Sequence, residues 1–376
     1  MIDQDDVTKI DVSKVPPHDI ICAGFPCQPF SLAGKKKGAE CPKSGRLIDH
    51  VIRIAKYHSP KFIFLENVPN ILTIADGTFW DYLVESFVRI GYKIHHKIIS
   101  PVDIGIPQNR KRIFVVAVRK DLDTGNFPWP VLTGLDTKGL PDVLENTAGS
   151  KPLESPKATL LKHWQELLDS LPITKLGSIS IVAPEFGATY PFDFEKLELR
   201  EIKRYKGAYG QDLSVCHSWD EVLAKMPGYC RNNKKVPAWI AKSVEFSRQL
   251  FADNIEICTC WSRKIEKKNN SWQILEWRGE HNNLNIYHHI VQFRASGIRI
   301  LRPKVAPSLI SMTPTQIPVI PSMNRYLSAY EAAKLQNLHH LGKLPGNPVR
   351  AFKALGNAVN ALIVEKVSEK LHTYNV

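Results

Sequence analysis

Between Asp19 and Val118 the chain alternates short apolar runs with amphipathic stretches, and this alternation restricts its fold more than any other feature. Strands are expected over Asp19–Ala23, Phe62–Glu66, Lys93–Ile99 and Arg112–Val118. Helices are expected over about Leu47–Tyr57, with Ile48, Val51, Ile52 and Ile54 on one side, and about Phe79–Ile90, with Trp80, Leu83, Phe87 and Ile90. Such alternation predicts an α/β sheet with parallel crossovers. Ligands of these sheets sit at the carboxyl ends of the strands, and both Cys27 and Glu66 fall at such ends.

Cys27 lies in the turn Ala23-Gly24-Phe25-Pro26-Cys27-Gln28-Pro29-Phe30-Ser31, directly after the first apolar run. A cysteine in a Gly/Pro-rich turn off a buried strand is held outside the core on a rigid mount, where a nucleophile is useful. Cys22, within the strand, reads as core.

With 50 Lys+Arg against 37 Asp+Glu the formal charge is +13, which favours a polyanionic partner, nucleic acid first. The plain alternative is a basic soluble enzyme without one. Seven cysteines are too few and too irregular for a disulfide framework, so the chain reads as cytosolic and reduced. Cys258-Thr259-Cys260 lacks the spacing and the second pair of a zinc site, and no metal is expected. No apolar run reaches the roughly 18 residues of a membrane span, and the acidic start, Met1-Ile2-Asp3-Gln4-Asp5-Asp6, is the reverse of a signal peptide.

From about Asp121 the alternation is lost, and Pro, Gly, Trp, Arg, Lys and Asn are scattered to about Arg294. Arg263–Trp277 mixes basic, amide and aromatic residues in short β-like runs, which suits either a nucleic-acid-reading surface or a solvated hairpin. After Pro321 helical patterning returns. Ser328 with Glu331 forms a capping-box pattern for a helix through about Leu335, and a second helix is expected over about Asn360–Leu371.

Four short motifs follow in order: Pro26-Cys27-Gln28, Glu66-Asn67-Val68, Gln108-Asn109-Arg110-Lys111-Arg112 and Leu355-Gly356-Asn357-Ala358-Val359. Together they closely resemble the DNA cytosine-5 methyltransferases of bacterial restriction–modification systems, over about Asp6–Lys120 and Arg302–Lys370. Gln292–Thr315 resembles the family's stretch where its recognition domain ends, and Arg325–Gln336 resembles the helix that follows it. The resemblance implies a Rossmann-like α/β methyltransferase sheet, with a partial catalytic domain at 1–120, an inserted, largely β target-recognition domain at 121–300 and a returning segment at 301–376. It also implies a methyl donor, S-adenosylmethionine, and a double-stranded DNA substrate.

By that resemblance Cys27 is the nucleophile toward cytosine, Glu66 contacts ring nitrogen 3 and the exocyclic amine, and Arg112 holds the carbonyl oxygen. Arg110 and Gln108 support that arginine and the nearby loop. Gln28, Ser31 and Gln108 fall at DNA-contacting positions, and the lysine- and glycine-rich loop Phe30–Arg46 at the mobile loop that closes over DNA. Asp6, Pro26, Leu47, Asn357, Ala358 and Val359 match positions lining S-adenosylmethionine. A carboxyl beside an apolar strand tends toward a raised pKa, which suits Glu66 for handing over a proton.

The family's Phe-x-Gly-x-Gly turn, which cradles the donor, has no counterpart upstream of Cys27, so the sheet is expected to be N-terminally truncated. Three explanations compete: one half of a split enzyme completed by a separate N-terminal polypeptide, a reading frame whose start lies upstream, or a remnant that binds DNA without methylating it. Methylation of RNA cytosine is a further, weaker alternative.

Overall fold

The computed structural model describes residues 6–25, 47–134, 139–145, 150–309 and 316–374. The chain divides into two compact units, one of Met1–Lys138, Ala333–Gly342 and Ala358–Val376, the other of Gly139–Ala332 and Lys343–Asn357.

In the first unit the elements run β1 (Ile20–Gly24), α1 (Leu47–His58), β2 (Phe62–Asn67), α2 (Thr78–Arg89), β3 (Tyr92–Ile99), β4 (Gln108–Asn109) and β5 (Arg112–Arg119). The four expected strands and two helices are therefore all present, within a residue or two of their anticipated ends. The expected parallel crossovers hold only for β1 and β2. The sheet order is β1-β2-β5-β3, and β5 runs antiparallel to both its neighbours, so the sheet is mixed. The connection explains this: only Ser100–Lys111 separates β3 from β5, with no crossover helix, and so short a link returns the chain antiparallel.

Both faces of this sheet are covered, so β2 and β5 are apolar without a break. Ile63, Leu65, Ile113, Val115 and Ala117 face Ile48, Val51 and Ala55 of α1 and Leu83 and Phe87 of α2. β1 is the exception. Its alternate residues are exposed, Ile20 at 42% and Cys22 with it, so the core reading of Cys22 is corrected: among the described residues only β2 pairs with this edge strand.

The second unit carries α3 (Ser155–Ser170), β6 (Ser180–Val182), α4 (Leu199–Ile202), α5 (Trp219–Ala224), α6 (Ala238–Asp253) and α7 (Ile255–Ser262). Then come β7 (Ile274–Arg278), β8 (Ile290–Arg294), β9 (Gly297–Leu301), β10 (Ala306–Pro307), β11 (Val319–Ile320) and β12 (Arg325–Tyr326). Its six-stranded sheet has the order β12-β11-β8-β9-β7-β6. A largely β region was expected here, and that expectation is corrected: helix outweighs strand. The reason is a 3.6-residue apolar stripe, Leu160, Leu161, Trp164, Leu167 and Leu168 on α3, and Ile240, Val244 and Leu250 on α6. The β-like reading of Arg263–Trp277 is corrected too, since strand begins only at Ile274. Trp164 and Trp261 pack at 4.7 Å between ring centroids in the core of this unit.

The chain then forms α8 (Ala329–Leu335), α9 (Pro348–Asn357) and α10 (Ala361–Tyr374). The anticipated capping box is real: Glu331 N donates to Ser328 Oγ at 3.1 Å, and Ser328 N donates to Glu331 Oε2 at 2.8 Å. Ile363, Val367, Leu371 and Tyr374 of α10 cover the second face of the first unit's sheet, against Phe62, Phe64, Phe114, Val116 and Val118.

The last turn of α10 is pinned by a polar cluster. Tyr374 donates to Asp123 Oδ1 at 2.7 Å, Lys93 pairs with Oδ2 at 2.7 Å, and His95 Nε2 lies 3.0 Å from Oδ1. Burial raises the Asp123 carboxyl, but the bonds from Lys93, Tyr374 and His95 outweigh it and hold the group at about 2. The folded carboxyl releases its proton more readily than the unfolded one. The cluster therefore stabilises the fold above about pH 4 and loses that contribution as the pH falls toward 2. Tyr374→Phe is expected to cost about 1.5–3 kcal/mol at neutral pH. Urea denaturation should show that deficit at pH 7 and a smaller one near pH 2.

Candidate active site

Parallel pairing sets Gly24 of β1 opposite Glu66 of β2, both at the carboxyl ends of their strands. The carboxylate leans across the glycine, with Oε2 3.5 Å from where a Cβ would stand. On its other side Glu66 is in register with Phe114 of β5, which begins two residues earlier at Arg112. That offset lets Arg112 reach back, and its Nε lies 2.9 Å from Glu66 Oε1. Arg112 also donates through Nη1 to Lys111 O at 2.8 Å, which fixes the guanidinium. Each side chain of the pair is 18% exposed, so the two charges share a part-dry cleft with a solvent-facing side.

Burial raises the Glu66 carboxyl, and the charges of Arg112 and Arg110 pull it back only in part, leaving it above the usual range. Burial lowers the Arg112 guanidinium against the pull of Glu66. Arg110 is 4% exposed, and burial, then the charge of Arg112, brings it down to about 10 against the pull of Glu66. Its Nη2 donates to Ala358 O at 3.0 Å, a bond between residues 248 apart in sequence.

Two side chains to which the sequence reading gave no role, one of them within the Glu66-Asn67-Val68 motif, hold this arrangement. Asn67, 5% exposed, donates to Phe25 O at 3.1 Å and accepts from Val68 N at 2.9 Å, tying the turn after β1 to the end of β2. Ser100, 1% exposed, accepts from Arg110 N at 3.0 Å and donates to Gln108 O at 3.3 Å. Ser100 was findable, since Ser100-Pro101-Val102-Asp103 is a capping-box pattern and Asp103 does accept from Ser100 N at 2.7 Å.

The anticipated residues thus divide. Glu66 and Arg112 form one ion pair, and Arg110 links its own position to Ala358. Gln108 is fully buried, and its side-chain amide has no hydrogen-bond partner among the described residues. Pro26, Cys27, Gln28, Ser31 and the rest of the loop to Arg46 lie outside the described residues; Phe25 precedes them. Asp6 is exposed, held ionised by bonds from Thr8, and the segment after it runs along α1, where Arg53 Nη2 donates to Ile10 O at 2.9 Å. Leu47 opens α1 half-buried, Asn357 ends α9 exposed, and Val359 is half-buried beyond it. Cys258 is buried in α7 while Cys260 is exposed, and among the described residues no cluster of three His, Cys, Asp or Glu side chains could hold a metal ion.

A half-buried carboxyl with a raised proton affinity, paired with a fixed guanidinium, can present an acid and a cationic donor to one planar heterocycle. The family model for C-5 cytosine-specific DNA methylases matches residues 2–373. Among curated proteins, the chain is 39% identical over 141 residues to the type II methyltransferase M.MspI of Moraxella sp, covering 38% of this chain and 33% of that relative. It is 35% identical over 175 residues to M.HhaI of Haemophilus parahaemolyticus, covering 46% and 53%. The matches therefore span between a third and about half of those relatives' lengths. Among solved structures, a prophage-encoded E. coli protein assigned as a DNA modification methyltransferase shares the fold at a TM-score of 0.50. It is 17% identical, covering 99% of this chain and 85% of that one.

Proposed function

This chain belongs to the C-5 cytosine-specific DNA methylase family, and from that premise we propose that it methylates carbon 5 of cytosine at a specific DNA site, as the modifying partner in a restriction–modification pair. The reading is carried by the Glu66–Arg112 pair, 2.9 Å apart at the strand ends, with Glu66 in register with Gly24, three residues before Cys27.

The chemistry uses these groups in turn. Carbon 5 is a poor nucleophile until the Cys27 thiolate adds to carbon 6. The electron pair displaced by that bond runs toward nitrogen 3 and the carbonyl oxygen. Glu66, whose proton affinity burial raises, hydrogen-bonds nitrogen 3 and in its protonated form delivers a proton there, while Arg112 holds the carbonyl oxygen. The enamine so formed is nucleophilic at carbon 5, where the methyl is accepted. Water then takes the carbon 5 proton as the thiolate leaves carbon 6, and the proton on nitrogen 3 returns to the Glu66 carboxylate, which restores both the ring and the acid. Because the target carbon is stacked inside a duplex, the base has to be turned out, and Lys35, Lys36 and Lys37, which follow the nucleophile in sequence, are charges suited to phosphate contacts.

S-adenosylmethionine supplies the methyl group. Asp6 offers an exposed carboxylate to an adenine amine. It suits part of such a donor, and the glycine turn that would cradle the rest is not in this sequence. The exposed outer side of β1, with Ile20 and Cys22, is where a strand carrying that turn would pair. It could come from a separate chain or from residues preceding Met1 in a longer one.

Supplying a Phe-x-Gly-x-Gly fragment in trans and assaying tritium transfer to duplex DNA tests the proposal. Incorporation, with a covalent adduct to 5-fluorocytosine DNA that maps to Cys27, is the expected result. A folded complex that binds the duplex and incorporates no tritium would sink the enzyme reading and leave a DNA-binding chain.

A further inference from the structure

Within the second unit, away in sequence from the catalytic motifs, lies a cleft of about 620 Å³. We infer that this cleft binds a nucleobase of the DNA substrate, stacked on Trp239 with its edge on Asn270 and Gln211, and so sets part of the methylated sequence. The inference rests on the DNA-methylating role proposed above and locates the sequence reading in it.

Trp239 is the first argument. It is the second residue of α6, lines the cleft, and is 70% exposed, whereas Trp164, Trp261 and Trp277 of the same unit are buried. An indole left in water contributes little to the fold and offers a flat, sequence-tolerant stacking face.

The polar lining is the second. Some of its groups are spent on the scaffold. Gln273 accepts from Tyr209 Oη at 2.6 Å and donates to the carbonyls of Glu266 and Lys268, at 3.3 and 2.6 Å. Arg231 donates to the carbonyls of Met226 and Ala224, and Lys225 to that of Asp212. By contrast, Asn270 and Gln211 are exposed and their amides make no hydrogen bond among the described residues. Two free amides beside an aromatic face are the donor–acceptor equipment that base edges require.

The shape is the third. Tyr209 sits at φ 54, in left-handed backbone, and Gly207 has no room for a side chain, since a Cβ there would meet Lys225 O at 2.5 Å. The cleft wall is thus rigidly built, and a concave site receives what protrudes. The cations in it, Lys225 and Arg231, are tied to carbonyls and opposed by Glu266, so the lining suits a neutral planar base better than a phosphate ridge. Glu266, Asn270 and Gln273 also come from Arg263–Trp277, the basic, amide and aromatic stretch picked out in the sequence.

Selection of bound duplexes from a randomised pool, using the full chain with its completing fragment, tests this. Wild type should enrich one sequence. Trp239→Ala should bind that sequence about 5- to 150-fold more weakly, the loss that one base–aromatic stack carries, with flattened preference at one position. Trp239→Phe should restore most of both, and 5-iododeoxyuridine at that position should photocrosslink to Trp239 in the wild type. If Trp239→Ala keeps wild-type affinity and preference, the cleft is not a base site while the methylating role stands. If wild type binds no DNA, both fall. Thermal melts of the variants should match wild type, because the side chain is exposed.

Discussion

Glu66→Gln is expected to lower the rate of methyl transfer by about 10²–10⁴-fold at saturating donor and DNA, the range for losing a positioned acid. Glutamine keeps the shape and can still donate to a ring, but it cannot give up a proton, and it removes the anion that Arg112 now faces at 2.9 Å. The pH profile separates this loss from simple misplacement. Burial raises the Glu66 carboxyl despite Arg112 and Arg110, so its active, protonated form persists above the ordinary carboxylate range and is depleted as the pH climbs through that raised value. The wild-type single-turnover rate should show a descending limb there, and the residual rate of Glu66→Gln should lack it. Rates within threefold of wild type, with the same limb, would remove Glu66 from the chemistry.

Glu331→Ala is expected to produce the largest loss of stability. This carboxylate is fully buried, accepts from Arg325 Nη1 and Nη2 at 3.0 and 2.7 Å, and accepts from the backbone N–H groups of Glu145 and Ser328 at 2.8 Å each. Its removal leaves Arg325, itself 7% exposed, as a buried charge without its counter-ion. Breaking such a pair costs about 3–5 kcal/mol, a large share of the roughly 5–15 kcal/mol that holds a domain together. A fall in Tm on the order of 10 °C is expected by calorimetry. Glu331→Gln, which keeps an acceptor oxygen, should lose less. A Tm within about 2 °C of wild type for the alanine variant, roughly a fifth of that fall, would mean that water replaces the carboxylate.

The first unit was legible in the sequence because β2 and β5 are buried on both faces and its helices on one, so burial wrote unbroken apolar runs and a helical stripe into Asp19–Val118. Strand direction was not legible. Whether Arg112–Arg119 runs with or against Phe62–Asn67 depends on the length and path of the link before it, and apolar content says nothing of that. The second unit hid its helices for another reason. The stripe on α6 is broken by polar neighbours and includes the buried Ser247, so the apolar signal is diluted. Among site residues, Glu66 and Arg112 were nameable from their motifs, whereas the bond from Arg110 to Ala358 was not, because it joins segments that nothing local connects.

That bond, with the packing of α10 over the sheet, has a consequence for how the protein is born. One face of the sheet is covered by α1 and α2 as soon as β5 leaves the ribosome, but the other waits for Ile363, Val367 and Leu371. At ribosomal speeds the intervening residues take on the order of 10–50 s to be made. Through that interval Phe62, Phe64, Phe114 and Val116 have no α10 to cover them. The nascent chain therefore presents an apolar face to chaperones, and Arg110 waits for its acceptor until the 358–361 turn has been synthesised.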